Sequence, residues 1–173
     1  MDGGTYFFTV VTHRRRRFLC EKENVSRLWG AFQYVMTRHT FKMDAFVLLP
    51  DHMHCIWTLP QGDRDYSMRW RLVKSTFTRT CDIALRGTVS ESRRRNGERA
   101  VWQRRFWEHQ IRDERDFIQH LEYIHYNPAQ HGVVDAPKEW AHSSFLRYAR
   151  EGFYSLDWGV GGTISFGAGV GFE

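Results

Sequence analysis

The distribution of apolar and polar positions along the chain predicts four strands and three helices. Runs rich in β-branched and aromatic residues predict strands at residues 5–12, 44–50, 52–59 and about 106–112. Apolar residues that recur every three or four positions predict helices at about residues 24–39, 68–85 and 114–126. We expect the third helix to stop at Asn127-Pro128, because proline disfavours helical backbone in the residue before it.

The predicted order of elements is β-α-β-β-α-β-α. Its first six elements match the ferredoxin-like arrangement, an antiparallel four-stranded sheet with helices on one face. The predicted fold class is therefore α+β, with a further C-terminal helix and a tail. We divide the chain into one domain over residues 1–150 and a glycine-rich tail over residues 151–173. The tail either folds over the rest of the protein and regulates it, or lacks fixed structure.

Two histidines interrupt the apolar strand predicted at residues 52–59. Because side chains alternate across a strand, His52 and His54 project from one face about 7 Å apart, while Met53 and Cys55 point the other way. Two imidazoles can share a metal ion if a third ligand approaches them. For such a pair taken alone, histidines that are merely hydrogen-bonded, or exposed on an edge strand, are the commoner case.

Tyr123 and Asn127 are four residues apart, so on a helix they share a face. An amide oxygen is a reasonable ligand for Mg²⁺ or Mn²⁺, and a phenol can act as a nucleophile once a cation or base offsets its high pKa. The alternatives are a core tyrosine and an asparagine that caps the helix. Together with the histidine pair, these residues predict a site where a divalent ion polarises a phosphodiester and a tyrosine attacks it. His120 and His131 could add positive charge there, although surface histidines are the simpler interpretation.

The charge of the chain points to a polyanionic partner. The 173 residues carry a formal charge of +5, and nucleic acid is the commonest partner of a basic, aromatic-rich surface. A solvated basic face without a partner is the alternative. Extruded bases could stack on aromatic residues, with Tyr6, Trp70, Trp102 and Trp107 as possibilities. The basic residues that we predict to contact DNA are Arg14, Arg15, Arg16, Arg17, Arg69, Arg71, Lys74, Arg79, Arg104, Arg105 and Arg112.

Other sequence features exclude several classes of site. The three cysteines are scattered without a CxxC motif, which argues against a disulfide framework and a cysteine zinc site. The chain has no P-loop, and so no nucleotide cofactor is expected. No apolar run approaches the length of a membrane span, and the N-terminus lacks the order of a signal peptide. We therefore expect a protein of the reducing cytoplasm.

The histidine pair in His52-Met53-His54 and the Tyr123…Asn127 helix resemble those of the single-tyrosine HUH transposases. More narrowly, five sequence blocks resemble the bacterial REP-associated tyrosine transposases, and they span about residues 3–150. The blocks are GGTYFFTVVT, LLPDHMHCIWTLP, RWRLVKSTFT, VWQRRFWEHQIRDERDF and YIHYNPAQHG.

The resemblance implies a ferredoxin-like fold and the cleavage and rejoining of single-stranded DNA at repeated extragenic palindromic (REP) hairpins. His52, His54 and Asn127 would then bind Mg²⁺ or Mn²⁺, and Tyr123 would form a 5′-phosphotyrosine. Related insertion-sequence transposases usually have glutamine at the third ligand position, so Asn127 is one methylene shorter. The resemblance also implies a bacterial protein that associates with the nucleoid, and it favours a monomer over a dimer that exchanges helices.

Two other functions fit the same residues. A non-catalytic module that binds hairpin DNA would need the basic surface, but it would not need His52, His54, Tyr123 and Asn127 together. A replication initiator or relaxase would use the same chemistry, but such enzymes are usually parts of larger proteins. The joint presence of the four residues favours a DNA-cleaving transposase.

Overall fold

The computed structural model describes residues 3–87, 91, 95, 99–167, 170 and 171. Three 3₁₀ turns lie at His13–Arg15, Ile83–Arg86 and Pro137–Glu139. The strands are β1 (Thr5–Val11), β2 (Lys42–Leu48), β3 (His52–Thr58) and β4 (Trp107–Gln110). The helices are α1 (Lys22–Met36), α2 (Tyr66–Thr80), α3 (Glu114–Gln130) and α4 (Phe145–Arg150).

The four strands form one antiparallel sheet in the order β2-β3-β1-β4, which confirms the predicted ferredoxin-like fold. The central pair, β1 and β3, is almost completely buried because elements cover both faces of the sheet. The register of this pair places Thr9 opposite His54 and Val11 opposite His52. Each histidine therefore has a defined neighbour on β1.

One face of the sheet packs against α1 and α2. Met53, Cys55 and Trp57 of β3 point to this side, as the alternation predicted. Trp57 stacks on Trp70 of α2 with the ring centroids 4.2 Å apart, and it meets Phe32 of α1 edge to face. The result is a continuous aromatic and aliphatic core.

The other face packs against α3. Phe7 of β1 and Ile56 of β3 meet Leu121 and Ile124 of the helix in a second, smaller cluster. His52 and His54 project toward this same side because they alternate with Met53 and Cys55. The helix α3 is thus the element that faces the histidine pair.

The predicted end of the third helix is wrong, because α3 continues through Asn127 and Pro128 to Gln130. Pro128 lies in the final turn, where the missing amide removes only one helical hydrogen bond. The amide of Val133 donates to the Pro128 carbonyl and closes the end of the helix. Asn127 is therefore a helical residue one turn after Tyr123, and not a cap.

The second helix also differs from its prediction, since it spans Tyr66–Thr80 and is followed by a separate 3₁₀ turn. It begins where the Asp65 side chain accepts a hydrogen bond from the Met68 amide. None of the helices in the described residues combines the length and apolar character that a bilayer span requires.

Candidate active site

His52 and His54 lie side by side in the interface between β3 and α3. Both are buried, at 1% and 0% exposure, and their ring centroids are 4.9 Å apart. The ring of the exposed His131, just after α3, lies 5.3 Å from the His52 ring. The structure therefore brings three imidazoles to one end of the interface, of which His131 is at the rim.

Each buried histidine is oriented through its Nδ1 atom. His52 Nδ1 donates to the Asp51 carboxylate over 2.8 Å, and His54 Nδ1 is hydrogen-bonded to Thr9 Oγ1 over 2.9 Å. Burial raises the pKa of Asp51, but the hydrogen bonds from His52 and Arg15 outweigh it and keep this pKa below its usual value. An ionised Asp51 carboxylate places the His52 proton on Nδ1, so Nε2 is the atom of this ring that could bind a metal ion.

Tyr123 faces the histidines from α3, and Asn127 lies one turn later on the same face of the helix. The Tyr123 ring lies 5.2 Å from the His54 ring and 6.0 Å from the Phe7 ring, between centroids. Asn127 follows one helical turn later and is 0% exposed, with its Oδ1 atom buried. The four residues predicted as a site thus converge on one buried interface.

The donor set fits a hard or borderline divalent cation. The two imidazole nitrogens suit a borderline transition-metal ion, and the amide oxygen suits Mg²⁺ or Mn²⁺. The carboxylate partner of His52 is the kind of outer-sphere group that metal-bound histidines have. The residues present therefore fit a metal ion at this position.

The C-terminal tail lies over Tyr123. The Phe166 ring meets the Tyr123 ring edge to face at 5.4 Å, and Val170 packs against the same cluster. Gly171 approaches so closely that a β-carbon there would lie 2.0 Å from Tyr123 Cζ. A cleft of about 470 Å³ remains between Tyr123 and the tail residues 163–166. Tyr123 is consequently only 3% exposed.

A second polar cluster lies between β4 and the first half of α3. His109, Asp116 and His120 have side-chain atoms close enough to hold a metal ion. Asp116 already accepts hydrogen bonds from His109 Nε2 at 2.9 Å and from Arg112 Nε at 3.0 Å. Although burial opposes its ionisation, these bonds hold the pKa of Asp116 well below its usual value. The cluster therefore ties β4 to α3 through a charged hydrogen-bond network.

The predicted DNA-contacting arginines occupy different environments. The predicted DNA contact of Arg69 must be withdrawn, because its side chain is 3% exposed. Its guanidinium donates to the Asp63 carboxylate and to the Thr40 carbonyl. Arg112 forms an ion pair with Asp116, so a phosphate contact would compete with that pair. The Arg16 guanidinium donates to the Leu85 carbonyl, so it links the turn after β1 to the 3₁₀ turn at Ile83–Arg86.

The remaining predicted basic residues are at least partly exposed. Arg14, Arg15 and Arg17 lie on the turn after β1, where Arg14 and Arg15 have positive φ angles of 56° and 51°. Arg15 binds the Asp51 carboxylate over 3.2 Å, which connects this turn to the partner of His52. Arg105 is exposed on the segment before β4. Four others line a separate cleft: Arg71, Lys74, Arg79 and Arg104.

The aromatic residues predicted to stack on bases are mostly in the core. Tyr6 and Trp70 are buried at 5% and 2% exposure, and Trp102 is 8% exposed. Trp107 is only half-buried, at the edge strand β4. Base stacking on Tyr6 or Trp70 would therefore require the core to open.

Sequence reasoning missed three residues that shape the site. Asp51 and Thr9 hold the two histidines, and the Phe7 ring lies between His54 and His120. Asp51 could have been inferred, because a carboxylate next to a candidate ligand is a usual support. The roles of Thr9 and Phe7 depend on the pairing register of β1 and β3, which the local sequence does not reveal.

The chain is similar in sequence to known transposases. A family model described as "Transposase IS200 like" matches residues 3–127. The chain is 40% identical to the REP-associated tyrosine transposase of Escherichia coli (strain K12), over 98% of this chain and 92% of that protein. A relative from Haemophilus influenzae with the same family name is also 40% identical, over 91% of this chain and 88% of the relative.

Solved structures give a similar result. A structure described as a REP-associated tyrosine transposase bound to a REP hairpin superposes with a TM-score of 0.80 at 39% identity. The match covers 100% of this chain and 93% of that chain. A transposase from Deinococcus radiodurans matches with a TM-score of 0.50 at 16% identity, which supports the fold alone.

Proposed function

The chain belongs to the IS200-like transposases and, among them, to the REP-associated tyrosine transposases, and from this premise we propose that it cleaves and rejoins single-stranded DNA at REP hairpins. The proposed nucleophile is Tyr123, and the proposed metal ligands are His52, His54 and Asn127. The observation that carries the proposal is the burial of all four residues in one interface, with the Tyr123 ring 5.2 Å from the His54 ring.

In the proposed reaction, Tyr123 forms and later releases a bond to DNA. Its phenolic oxygen loses a proton and attacks the phosphorus of the scissile phosphodiester. The new bond joins Tyr123 Oη to phosphorus, the bond from phosphorus to the 3′-oxygen breaks, and that oxygen leaves as a 3′-hydroxyl after taking up a proton. Attack by a 3′-hydroxyl on the resulting 5′-phosphotyrosine reverses these steps and rejoins a strand without ATP.

The other residues hold the reacting groups. The family suggests metal dependence, and a divalent ion would supply charge to the phosphoryl oxygens. Asp51 and Thr9 orient His52 and His54, and the Phe7 ring of β1 meets the Tyr123 ring edge to face. Because α3 carries both Tyr123 and Asn127, the helix fixes the nucleophile relative to the proposed ligand.

We propose residues 1–150 as the transposase domain and residues 151–173 as a tail that regulates access to it. The tail residues Phe166, Val170 and Gly171 cover Tyr123. A DNA strand can therefore reach the phenol only when this contact opens. Residues 168, 169, 172 and 173 lie outside the described part of the chain.

The test is the covalent adduct. Wild type incubated with labelled REP hairpin DNA and Mn²⁺ or Mg²⁺ should give a protein–DNA species on a denaturing gel, and Tyr123→Phe should give none. Tyr126→Phe is the matched control, because Tyr126 lies on the same helix but donates its hydroxyl to the Gly162 carbonyl. An adduct that persists in Tyr123→Phe would overturn the assignment of the nucleophile.

A second function, hairpin binding without cleavage, is favoured by one observation. Tyr123 is only 3% exposed, because Phe166 and Gly171 of the tail lie against its ring. A protein fixed in this state would bind DNA through its exposed basic surface and form no adduct. Retained hairpin binding without an adduct, with both metals and in both wild type and a chain ended after Gly162, would favour the binding function instead.

A further inference from the structure

His131 follows α3 directly and presents a third imidazole to the histidine pair of β3. Its ring centre lies 5.3 Å from the centre of the His52 ring, and the two rings are inclined by 68°. The His52 and His54 rings are 4.9 Å apart and are inclined by 77°. The contact of His52 with His131 thus has nearly the same geometry as its contact with His54.

The spacing of these rings is the one that imidazoles have when they share a metal ion. A bond of about 2.1 Å from nitrogen to the metal places the ion about 3.2 Å from each ring centre. For angles of about 90° to 115° between two such bonds, the ring centres are then about 4.5 to 5.4 Å apart. Both distances to the His52 ring, 4.9 and 5.3 Å, fall within this range. The steep angles between the rings also allow the ring planes, in which the nitrogen lone pairs lie, to converge.

The histidines of the second polar cluster have a different geometry. The His109 and His120 rings are stacked, with their centres 4.5 Å apart and their planes inclined by only 15°. Their lone pairs therefore lie in nearly parallel planes and cannot converge on one ion unless a ring rotates. A short distance between two imidazoles is thus not sufficient, whereas the contacts of His52 combine a suitable distance with converging planes.

The backbone after α3 fixes the position of His131. The His131 amide donates to the Asn127 carbonyl over 3.0 Å, and the Gly132 amide donates to the Ala129 carbonyl. Gly132 has φ +64°, a conformation that favours glycine, so the chain turns away directly after His131. Tyr123, Asn127 and His131 follow one another at intervals of four residues, which places them along one side of the helix.

The end of α3 is also a favourable position for a cation. The last carbonyl groups of a helix give its C-terminus a partial negative charge, which stabilises a nearby positive ion. His131 comes directly after Gln130, the last residue of the helix. It is exposed, whereas His52 and His54 are buried. His131 is therefore the imidazole at the solvent edge of the site.

We propose that His131 is an additional metal ligand, and that it makes the site selective for a borderline transition-metal ion over Mg²⁺. This inference rests on the proposed function, which supplies the metal ion and the ligands His52, His54 and Asn127. Imidazole nitrogen suits borderline transition metals, whereas Mg²⁺ prefers oxygen ligands. A third imidazole therefore adds affinity for a transition-metal ion and little affinity for Mg²⁺.

The experiment titrates four proteins, all without an affinity tag, with Co²⁺, a borderline ion whose visible absorption depends on its ligands. The proteins are wild type, His131→Ala, His54→Ala and the matched control His142→Ala. His142 lies before α4 with its ring against Trp140, so the control removes an imidazole from another part of the chain. The affinity for Mg²⁺ is measured by competition with Co²⁺. Since no DNA is present, the readout is independent of cleavage.

His131→Ala should bind Co²⁺ at least about tenfold more weakly, because removal of an outer-sphere partner of a ligand already has such an effect. Its affinity for Mg²⁺ should change by less than about twofold. His142→Ala should bind both ions like wild type. Loss of Co²⁺ binding in His54→Ala but not in His131→Ala would overturn this inference alone. Unchanged Co²⁺ binding in both variants would overturn the metal ligands of the proposed function as well.

Free imidazole distinguishes a ligand from a residue that only supports the fold. Because His131 is exposed, dissolved imidazole can enter the space of the missing ring in His131→Ala. Relative to its effect on wild type, imidazole should restore most of the Co²⁺ affinity of His131→Ala and leave His142→Ala unchanged. A loss of affinity that imidazole does not restore, or equal losses for Co²⁺ and Mg²⁺, would overturn the assignment of His131 as a ligand.

Discussion

The two faces of the sheet differ in chemistry although the same strands build them. Beneath α1 and α2, β3 contributes Met53, Cys55 and Trp57 to a core of apolar and aromatic side chains. Beneath α3, the intervening positions of the strand contribute His52 and His54. A single strand with alternating side chains thus separates a stabilising surface from a surface that can carry chemistry.

The comparison shows that buried polar side chains require hydrogen-bond partners. Desolvation of a polar group is unfavourable unless it is hydrogen-bonded. On the α3 side Thr9 and Asp51 are hydrogen-bonded to the Nδ1 atoms of the two histidines of β3, and Ser144 is hydrogen-bonded to Nε2 of His125 of α3. The face beneath α1 and α2 is packed mainly by apolar and aromatic side chains, and its buried polar atoms include the indole nitrogens of Trp57 and Trp70. We therefore expect mutations on the two faces to affect different properties, namely stability on one face and metal binding with adduct formation on the other.

The largest effect should come from Trp57→Ala on the apolar face. Trp57 is 0% exposed and packs between Trp70 and Phe41, with both ring centroids 4.2 Å away. Removing a buried tryptophan should lower the free energy of unfolding by about 3–5 kcal/mol. Urea unfolding followed by circular dichroism measures the loss, and Trp57→Phe should retain most of the stability.

His54→Ala, on the opposite face of the same strand, provides the contrast. It should lose metal binding and adduct formation while it costs less than half as much stability as Trp57→Ala. If both substitutions destabilised the fold equally, the separation of the two faces into a stabilising and a chemical surface would be wrong.

The next effect is a dependence of stability on pH that arises from His125 of α3. Burial, with a smaller contribution from Arg147, lowers the pKa of His125 to about 3, whereas an unfolded histidine titrates near 6.5. Below pH 6.5 the unfolded chain takes up a proton that the folded protein does not. The contribution of His125 to the free energy of unfolding is therefore fully present above pH 6.5, and it declines as the pH falls toward 3.

Between pH 7 and pH 5, His125 should lower the free energy of unfolding by about 2 kcal/mol. Urea titrations of wild type and His125→Asn at both pH values measure this, and the difference between the two proteins isolates the histidine from other titrating groups. Parallel declines in the two proteins would show that His125 does not cause the acid sensitivity.

The Asp51 carboxylate should affect metal affinity without affecting the fold. It accepts from His52 Nδ1 over 2.8 Å and from Arg15 over 3.2 Å, and so it orients and polarises the proposed ligand. Asp51→Asn keeps the shape but removes the charge, which should weaken Mn²⁺ binding roughly tenfold. Electron paramagnetic resonance of free Mn²⁺ measures binding without relying on cleavage. Asp157→Asn, an exposed aspartate paired with Lys138, should bind Mn²⁺ like wild type.

The sequence was sufficient to predict the fold, because the local patterns agree with the tertiary packing. Alternation in β3 separated the histidines from Met53 and Cys55, and the order of elements identified the sheet. The end of α3 could not be predicted, because the preference of the residue before Pro128 is weaker than the packing of the last turn. Tertiary contacts outweighed a local propensity there.

The residues around the site were harder to predict from sequence. Arg69 carries the same charge as the exposed arginines, but its location beside Asp63 is a property of the folded chain. The same holds for Thr9, which is brought beside His54 only by strand pairing. Spacing therefore identifies residues on one element, whereas their partners on other elements require the three-dimensional structure.

The smallest predicted effect concerns the contact of the tail with Tyr123. Gly171 has φ +70°, and a β-carbon there would lie 2.0 Å from Tyr123 Cζ, so Gly171→Ala should displace the tail from Tyr123. Adduct formation should then rise roughly fivefold, which corresponds to about 1 kcal/mol on the equilibrium between covered and uncovered states. Gly162→Ala meets nothing within 4 Å and is the matched control. Time courses of adduct formation on denaturing gels measure this rate. An unchanged rate for Gly171→Ala would mean that the tail does not limit access to Tyr123.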